Sequence, residues 1–147
     1  MKKIISYILV ILWMILIFYL SSQNGSVSST SSSGILNNIL NLLNKIFTFD
    51  KETVLSIIHG PMRELMHSFE YFILAILIVN LLKQYNLHNI ILITVMISFI
   101  YSVSDEIHQL FVIGRTFEYF DIMMDFIGII VGSFIGNKII KNKIYER

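Results

Sequence analysis

Cysteine is absent from the sequence, which excludes a disulfide framework, a thiol nucleophile and a thiolate metal site. Charged residues are scarce: they make up 14% of the chain, whereas soluble domains carry about 25%. The net charge is only +1, and no basic segment interleaved with aromatic residues is present, so nothing indicates nucleic-acid binding. Hydrophobic residues make up 55% of the 147 positions, a composition typical of proteins that cross a membrane several times.

Four long apolar segments follow one another along the chain, and each is predicted to form a membrane-spanning helix. They cover about residues 4–20, 65–82, 89–104 and 121–140. The first resembles a secretory signal, but it is long for one and lacks an Ala-x-Ala end, so we expect it to remain as a span. The predicted fold is all-α, a polytopic membrane protein with a single domain.

The connection between the first two spans has its own pattern. Ser21–Gly34 is predicted to be a loop, because Asn24-Gly25 is a turn signal and a Ser/Thr tract follows. Residues 35–47 have apolar residues at helical spacing, which predicts a short amphipathic helix in the membrane interface of this first extracellular loop. A second short helix is predicted over about 52–58, and Gly60-Pro61 predicts a new helix start before the second span.

The basic residues predict the orientation. In a four-span arrangement, one side carries Lys2, Lys3, Lys83, Lys138, Lys141, Lys143 and Arg147. The other carries only Lys45, Lys51, Arg63 and Arg115. By the positive-inside rule, both termini are predicted to be cytoplasmic, in the cell membrane. The outer ends of the spans then carry most of the polar residues.

Polar residues share one face of the second span. Arg63, His67, Glu70 and Tyr71 are spaced i, i+4, i+7, i+8. Either Arg63, His67 and Glu70 pair with one another and lock the helix into the bundle, or they belong to a site. In both cases the Glu70 carboxyl group must face protein, because lipid offers it no partner.

A second polar group ends the third span. Asp105 and Gln109 lie one turn apart, while Glu106 points elsewhere. The pairs His67-x-x-Glu70 and Asp105-x-x-His108 have a spacing found in carboxylate–histidine metal sites. This pattern is weak, and general acid–base catalysis by His67 or a buried carboxyl group is the favoured chemistry. No metal and no cofactor is predicted.

Gly114-Arg115 and the fourth span complete the polar set. Gly114 permits a turn, and the Arg115 guanidinium suits a clamp on a phosphate or carboxylate, or else a salt bridge to a nearby acid. Asp121 and Asp125 share a face with Gly128-x-x-x-Gly132-x-x-x-Gly136. The glycines allow close helix packing, within one chain or between two copies, and imply that Asp125 points into the bundle.

In this order and spacing, the residues resemble those of the VanZ-like family of small bacterial membrane proteins. The match covers about residues 18–136, and departs where the family often has Asn instead of Asp125 and Pro instead of Ile113. The resemblance implies a cell-envelope membrane protein, and the family's name-giving member is associated with low-level teicoplanin resistance. The residues that carry it are Ser21, Ser22, Gln23, Arg63, His67, Glu70, Tyr71, Asp105, Glu106, Gln109, Phe111, Gly114, Arg115, Asp121 and Gly128.

The sequence therefore predicts a polar pocket open to the outer leaflet. Its expected ligand is an anionic envelope molecule: a lipid-linked wall precursor, a lipid head group or a glycopeptide antibiotic. Alternatives are an enzyme acting on a lipid-phosphate and an accessory structural membrane protein. The predicted acid–base groups are His67, Glu70, Asp105 and Glu106, and the predicted ligand-binding residues are Ser22, Gln23, Arg63, Gln109, Arg115 and Asp121.

Overall fold

The computed structural model describes residues 2–45, 50–85 and 87–140. They form five α-helices and no strand. The helices are α1 (Lys2–Ser21), α2 (Gly25–Leu43), α3 (Lys51–Leu82), α4 (Ile90–Gln109) and α5 (Tyr119–Ile139), with a short 3-10 helix at Lys83–Tyr85. The all-α prediction with four apolar helices long enough to cross a membrane is confirmed, since α1, the later part of α3, α4 and α5 each meet that requirement.

The four helices long enough to span a membrane alternate in direction. At one end of the bundle, the start of α1 meets the end of α3: the Gln84 amide donates to the Ser6 hydroxyl at 2.6 Å, and the Lys3 ammonium lies 4.4 Å from the centre of the Tyr85 ring. The Lys83 ammonium donates to two carbonyl groups at the end of α5. The predicted neighbours Lys141, Lys143 and Arg147 are outside the described residues.

The core lies where α3 packs against α1 and α5. Fully or nearly fully buried side chains from these three helices form one cluster: Val10, Ile17, Tyr71, Leu74, Ile78, Leu81 and Ile129. Long apolar side chains on the outer faces of the helices are exposed, as expected for helices that are surrounded by lipid chains.

The glycine stripe of α5 packs on α3 of the same chain. A Cβ atom built on Gly128 would lie 2.1 Å from the Ser68 carbonyl oxygen, and one on Gly132 would lie 2.4 Å from that of Phe72. The Ser68 hydroxyl donates to the Met124 carbonyl at 2.8 Å across this contact. Of the two roles open for the stripe, packing within one chain is the one observed.

The prediction of a loop over Ser21–Gly34 was wrong. Helix α2 begins at Gly25 and includes the Ser/Thr tract. Leu36 and Leu40 are buried, and α2 packs against α3, so tertiary packing outweighs the modest helix propensity of serine and threonine. The predicted end of this helix at Phe47 lies outside the described residues, and the helix ends at Leu43.

The helix start predicted at Gly60-Pro61 was also wrong. Helix α3 runs without interruption from Lys51 to Leu82, so the short helix expected over 52–58 is its first part. Helix α3 packs against α2, and tertiary context can override a local signal for a helix boundary. Helix α4 continues past the expected end at Ser104 to Gln109, which makes its last polar residues helical.

Candidate functional site

Three buried polar side chains join the end of α1 to the end of α4. The Ser21 hydroxyl donates to Asp105 Oδ2 at 2.5 Å. The Gln109 amide donates to the Ser21 oxygen at 2.9 Å and to the same carboxylate oxygen at 3.3 Å. Each of the three residues is at most 5% exposed, so these contacts form away from solvent, where a hydrogen bond is strongest and a lost partner most costly.

Arg115 lies over this group. Its Nη1 donates to Gln109 Oε1 at 3.4 Å, and its Nε donates to the Gln23 carbonyl at 3.4 Å. Gly114 makes this position possible with φ +75°, a backbone conformation that favours glycine. The turn is held against the start of α2 because the Gly25 N–H donates to the Ile113 carbonyl at 3.2 Å.

Helix α3 adds Glu70 to the same region. Its carboxyl group interacts electrostatically with Asp105 and Arg115. His67 Nδ1 lies 3.8 Å from Glu70 Oε2, so part of the pairing predicted along this helix is present. The Trp13 indole N–H fixes this turn of α3 by donating to the Glu70 carbonyl at 2.9 Å. We call Ser21, Glu70, Asp105, Gln109 and Arg115 the polar cluster.

Glu70 also borders an apolar groove on the outer surface of α3. The groove has a volume of about 470 Å³, and the other described residues that line it are Leu65, Met66 and Phe69. Leu65 and Phe69 are more than half exposed, so the groove faces the surroundings of the bundle. A hydrocarbon chain lying in this groove would therefore reach a side chain of the polar cluster.

A second buried acid lies deeper in the bundle. Asp125 on α5 accepts a hydrogen bond from the Ser102 hydroxyl at 2.7 Å. Tyr71 is fully buried and interacts with both Asp105 and Asp125. The inward direction predicted for Asp125 is confirmed by its 5% exposure, although the sequence analysis did not count it among the site residues. Its position one turn after Asp121 on the glycine face was the available signal.

Glu106 of α4 contacts the start of α5, whose first turn contains Asp121. Glu106 is 2% exposed, and its Oε1 accepts a hydrogen bond from the backbone N–H of Glu118 at 2.7 Å. Glu118 is the residue that precedes the first turn of α5, and Asp121 is in that turn. Carboxylates stabilise helix N-termini, where backbone N–H groups lack partners. The structure thus gives Glu106, predicted to be an acid–base group, a contact that positions a helix.

The side chains of Ser22 and Gln23, two of the predicted ligand-binding residues, form local contacts outside the polar cluster. The Ser22 hydroxyl donates to the Phe18 carbonyl of its own helix at 2.6 Å, a local bond that serine commonly forms near helix ends. Ser21 occupies the place expected for Ser22. Gln23 contributes its carbonyl oxygen, while its side chain donates to the Tyr19 carbonyl at 3.4 Å. The side chain of Arg63 lies outside the described part of α3.

The two histidines of the predicted carboxylate–histidine pairs, His67 and His108, lie in different surroundings. His67 lies beside Glu70, whereas the His108 ring packs on Phe18 with 4.3 Å between the ring centres. Within residues 2–45, 50–85 and 87–140, no three His, Asp or Glu side chains are arranged to hold a metal ion.

A family model described as VanZ/LLP1 matches residues 6–140. The chain belongs to the VanZ/LLP1 family. The resemblance seen in the sequence is thereby confirmed, and every residue of the polar cluster lies within the VanZ/LLP1 match. No curated protein and no solved structure matches the chain.

Proposed function

We propose that the polar cluster binds the head group of an anionic lipid-type molecule at the outer face of the cell membrane. The observation that carries this proposal is the double position of Glu70, which interacts with Arg115 on one side and borders the apolar groove on the other. One amphiphilic molecule could then place its chain in the groove and its phosphate or carboxylate at Arg115.

The basic residues support the outer location. Lys3, Lys83 and Lys138 lie towards the end of the bundle opposite the polar cluster. By the positive-inside rule, that end is cytoplasmic, and both termini are then cytoplasmic too. The polar cluster would consequently meet molecules of the outer leaflet and the cell wall.

The groove favours one ligand class among those that the sequence left open. Leu65, Met66 and Phe69 offer no polar group to a glycopeptide, but they match an acyl or polyprenyl chain. A phospholipid or a lipid-linked wall precursor is therefore preferred. Binding of wall precursors would connect this chain to the teicoplanin resistance associated with the family's name-giving member.

Trp13 provides a direct test because it is the only tryptophan and its indole contacts the α3 turn that holds Glu70. The full-length protein is placed in nanodiscs that contain brominated phosphatidylglycerol or brominated phosphatidylcholine. Since bromine quenches indole fluorescence, we expect stronger quenching by the anionic lipid, and Arg115→Gln should remove the difference. Losing a charge-assisted hydrogen bond costs about 1.5–3 kcal/mol, which corresponds to at least about tenfold in affinity.

Lys138→Gln is the matched control, because it removes an exposed positive charge at the opposite end. It should leave the preference unchanged. Equal quenching by both lipids in the wild type would refute the proposal. Unlabelled undecaprenyl phosphate and teicoplanin, added separately as competitors, distinguish a lipid-linked precursor from the antibiotic as the preferred ligand.

One contact favours an enzyme as the second candidate. The Ser21 hydroxyl donates to the Asp105 carboxylate, as a nucleophile does to its base. Ser21 is only 1% exposed, however, so a substrate would need the helix ends to separate. Release of phosphate from a lipid-phosphate beyond one equivalent per protein, lost in Ser21→Ala, would establish this activity. Binding without turnover leaves the recognition function.

A further inference from the structure

The inner face of α4 carries a row of hydroxyl groups. Thr94, Ser98 and Ser102 lie one turn apart, and each is 0% exposed. They continue the line of Asp105 and Gln109 away from the polar cluster. At 1.5 Å per residue, Thr94 lies about 12 Å deeper than Ser102.

Helix α5 places a fourth hydroxyl at the same depth. The Ser102–Asp125 hydrogen bond fixes the level at which the two antiparallel helices meet. Ser133 follows Asp125 by two turns, just as Thr94 precedes Ser102 by two turns. Ser133 is also 0% exposed, so the deep hydroxyls of α4 and α5 lie inside the bundle at one level.

Apart from Ser102, the hydroxyl groups at this interface have no hydrogen-bond partner in the part of the chain that the structure describes. This holds for the oxygen atoms of Thr94, Ser98 and Ser133, and one oxygen each of Asp105 and Asp125 is in the same situation. Buried polar groups in proteins are normally satisfied, and those without a protein partner are bound by internal water. Water beside these groups would extend the polar cluster towards the middle of the membrane.

The opposite end of this row lies near a surface groove. A groove of about 700 Å³ lies between the start of α4 and the end of α5. Val95 and Phe134, the direct neighbours of Thr94 and Ser133 in sequence, line it, and Asn89 and Asn137 contribute polar groups. The row of hydroxyls thus has the acids at one end and, at the other, the fully buried Thr94 and Ser133, whose neighbours in sequence line the groove.

We propose that the α4–α5 interface is a hydrated path that conducts protons across the membrane, between Asp125 and the groove beside Thr94 and Ser133. Chains of acids within membrane helices are characteristic of proton relays. A proton from the outer side protonates the Asp125 carboxylate, the carboxyl group passes a proton to the row of hydroxyls and water, and one proton leaves at the far end. Every O–H bond that breaks is replaced by one that forms, and no electron is transferred.

Several titratable groups surround the acids at the start of this path. Tyr71 of α3, Asp105 and Glu106 of α4 and Asp121 of α5 interact with Asp125. Asp105 also interacts electrostatically with Glu70, Tyr101 and His108. Glu70 in turn interacts with the Arg115 guanidinium. Helix α1 contributes the Ser21 hydroxyl. Protonation of Asp125 is therefore coupled to its neighbours, and the deeper serines are the cleaner sites for a test.

Proton flux into liposomes tests the path. Full-length protein is reconstituted into potassium-loaded vesicles, valinomycin sets an inside-negative potential, and a pH-sensitive dye reports acidification. The wild type should acidify the vesicles faster than protein-free vesicles do. Ser98→Ala and Thr94→Val should slow this flux by about tenfold, the effect of about 1.4 kcal/mol added to a barrier.

Ser104→Ala is the matched control, because Ser104 lies on the exposed face of α4 and its hydroxyl donates to the Tyr101 carbonyl of the same helix. It should conduct like the wild type. Ser133→Ala removes the hydroxyl that α5 contributes to the path. If the α4 variants fail to fold, as judged by circular dichroism and gel filtration, the proton flux of Ser133→Ala tests the proposal. Wild-type flux no faster than that of protein-free vesicles, or undiminished flux in the folded variants, would overturn the proposal. Trp13 quenching in the same preparation reports lipid binding separately.

Discussion

Replacing Gly128 with alanine tests the contact that brings α5 against α3. The added Cβ would lie 2.1 Å from the Ser68 carbonyl oxygen and 2.8 Å from its hydroxyl oxygen. A backbone carbonyl cannot rotate away as a side chain can, so one helix has to move. That movement also disturbs the hydrogen bond from the Ser68 hydroxyl to the Met124 carbonyl.

The expected change in the free energy of unfolding has three contributions. Forcing an extra methyl group into a packed interface costs about 1–3 kcal/mol. Weakening the Ser68 hydrogen bond costs about 1 kcal/mol more. Alanine is a better helix former than glycine by about 1 kcal/mol, which offsets part of the loss. The free energy of unfolding of Gly128→Ala should therefore fall by roughly 1–3 kcal/mol.

The assay is reversible unfolding in mixed micelles, with increasing dodecyl sulfate and circular dichroism as the signal. Gly34→Ala is the matched control: it makes the same substitution within α2, where a Cβ would have no atom within 4 Å. That variant should be as stable as the wild type, or more stable by up to about 1 kcal/mol. If Gly128→Ala unfolds at the wild-type midpoint, the close contact between α3 and α5 does not have the strength inferred here.

Two further substitutions use the same assay. Gly25→Ala would place a Cβ 2.1 Å from the Gly114 carbonyl oxygen, so its unfolding free energy should fall by about 1–3 kcal/mol, while Gly34→Ala again serves as control. A wild-type midpoint would contradict the glycine contact between these turns. Lys83→Met removes the donor to two carbonyl groups at the end of α5 and should cost about 1–3 kcal/mol. The exposed Lys138→Met should change stability by less than about 0.5 kcal/mol, and equal effects of the two lysine variants would argue against a special contact at Lys83.

The sequence predicted the spanning helices because continuous hydrophobic length is a direct requirement of the bilayer. Apart from the end of α4, which lies at Gln109 and not at Ser104, its errors in helix bounds fall between the first two spans, where local signals are weak. Gly25 looked like part of a turn, yet α2 begins there, against the turn that contains Gly114. Gly60-Pro61 looked like a helix start, but α3 runs through it without interruption, because tertiary context can override a local boundary signal.

In the candidate site too, the sequence predicted some features and missed others. Intramembrane acids had to face protein, and the structure brings Glu70, Asp105 and Arg115 together. Ser21, and not Ser22, points into the bundle. Which of these two serines does so depends on the rotation of α1 about its axis. The sequence of a strongly apolar helix gives little information on that rotation. The capping contact of Glu106 with the Glu118 N–H was hidden as well, since it joins residues across a turn of unknown shape.

The meeting of two distant turns has a mechanical consequence. The Gly25 N–H is bonded to Ile113, and the Arg115 guanidinium is bonded to Gln23, so the chain after α1 and the chain after α4 form one joined rim. A molecule that lifts α2 away from the bundle must pull this rim with it and carry the guanidinium along. The amphipathic helix is thus mechanically connected to the positive charge of the polar cluster.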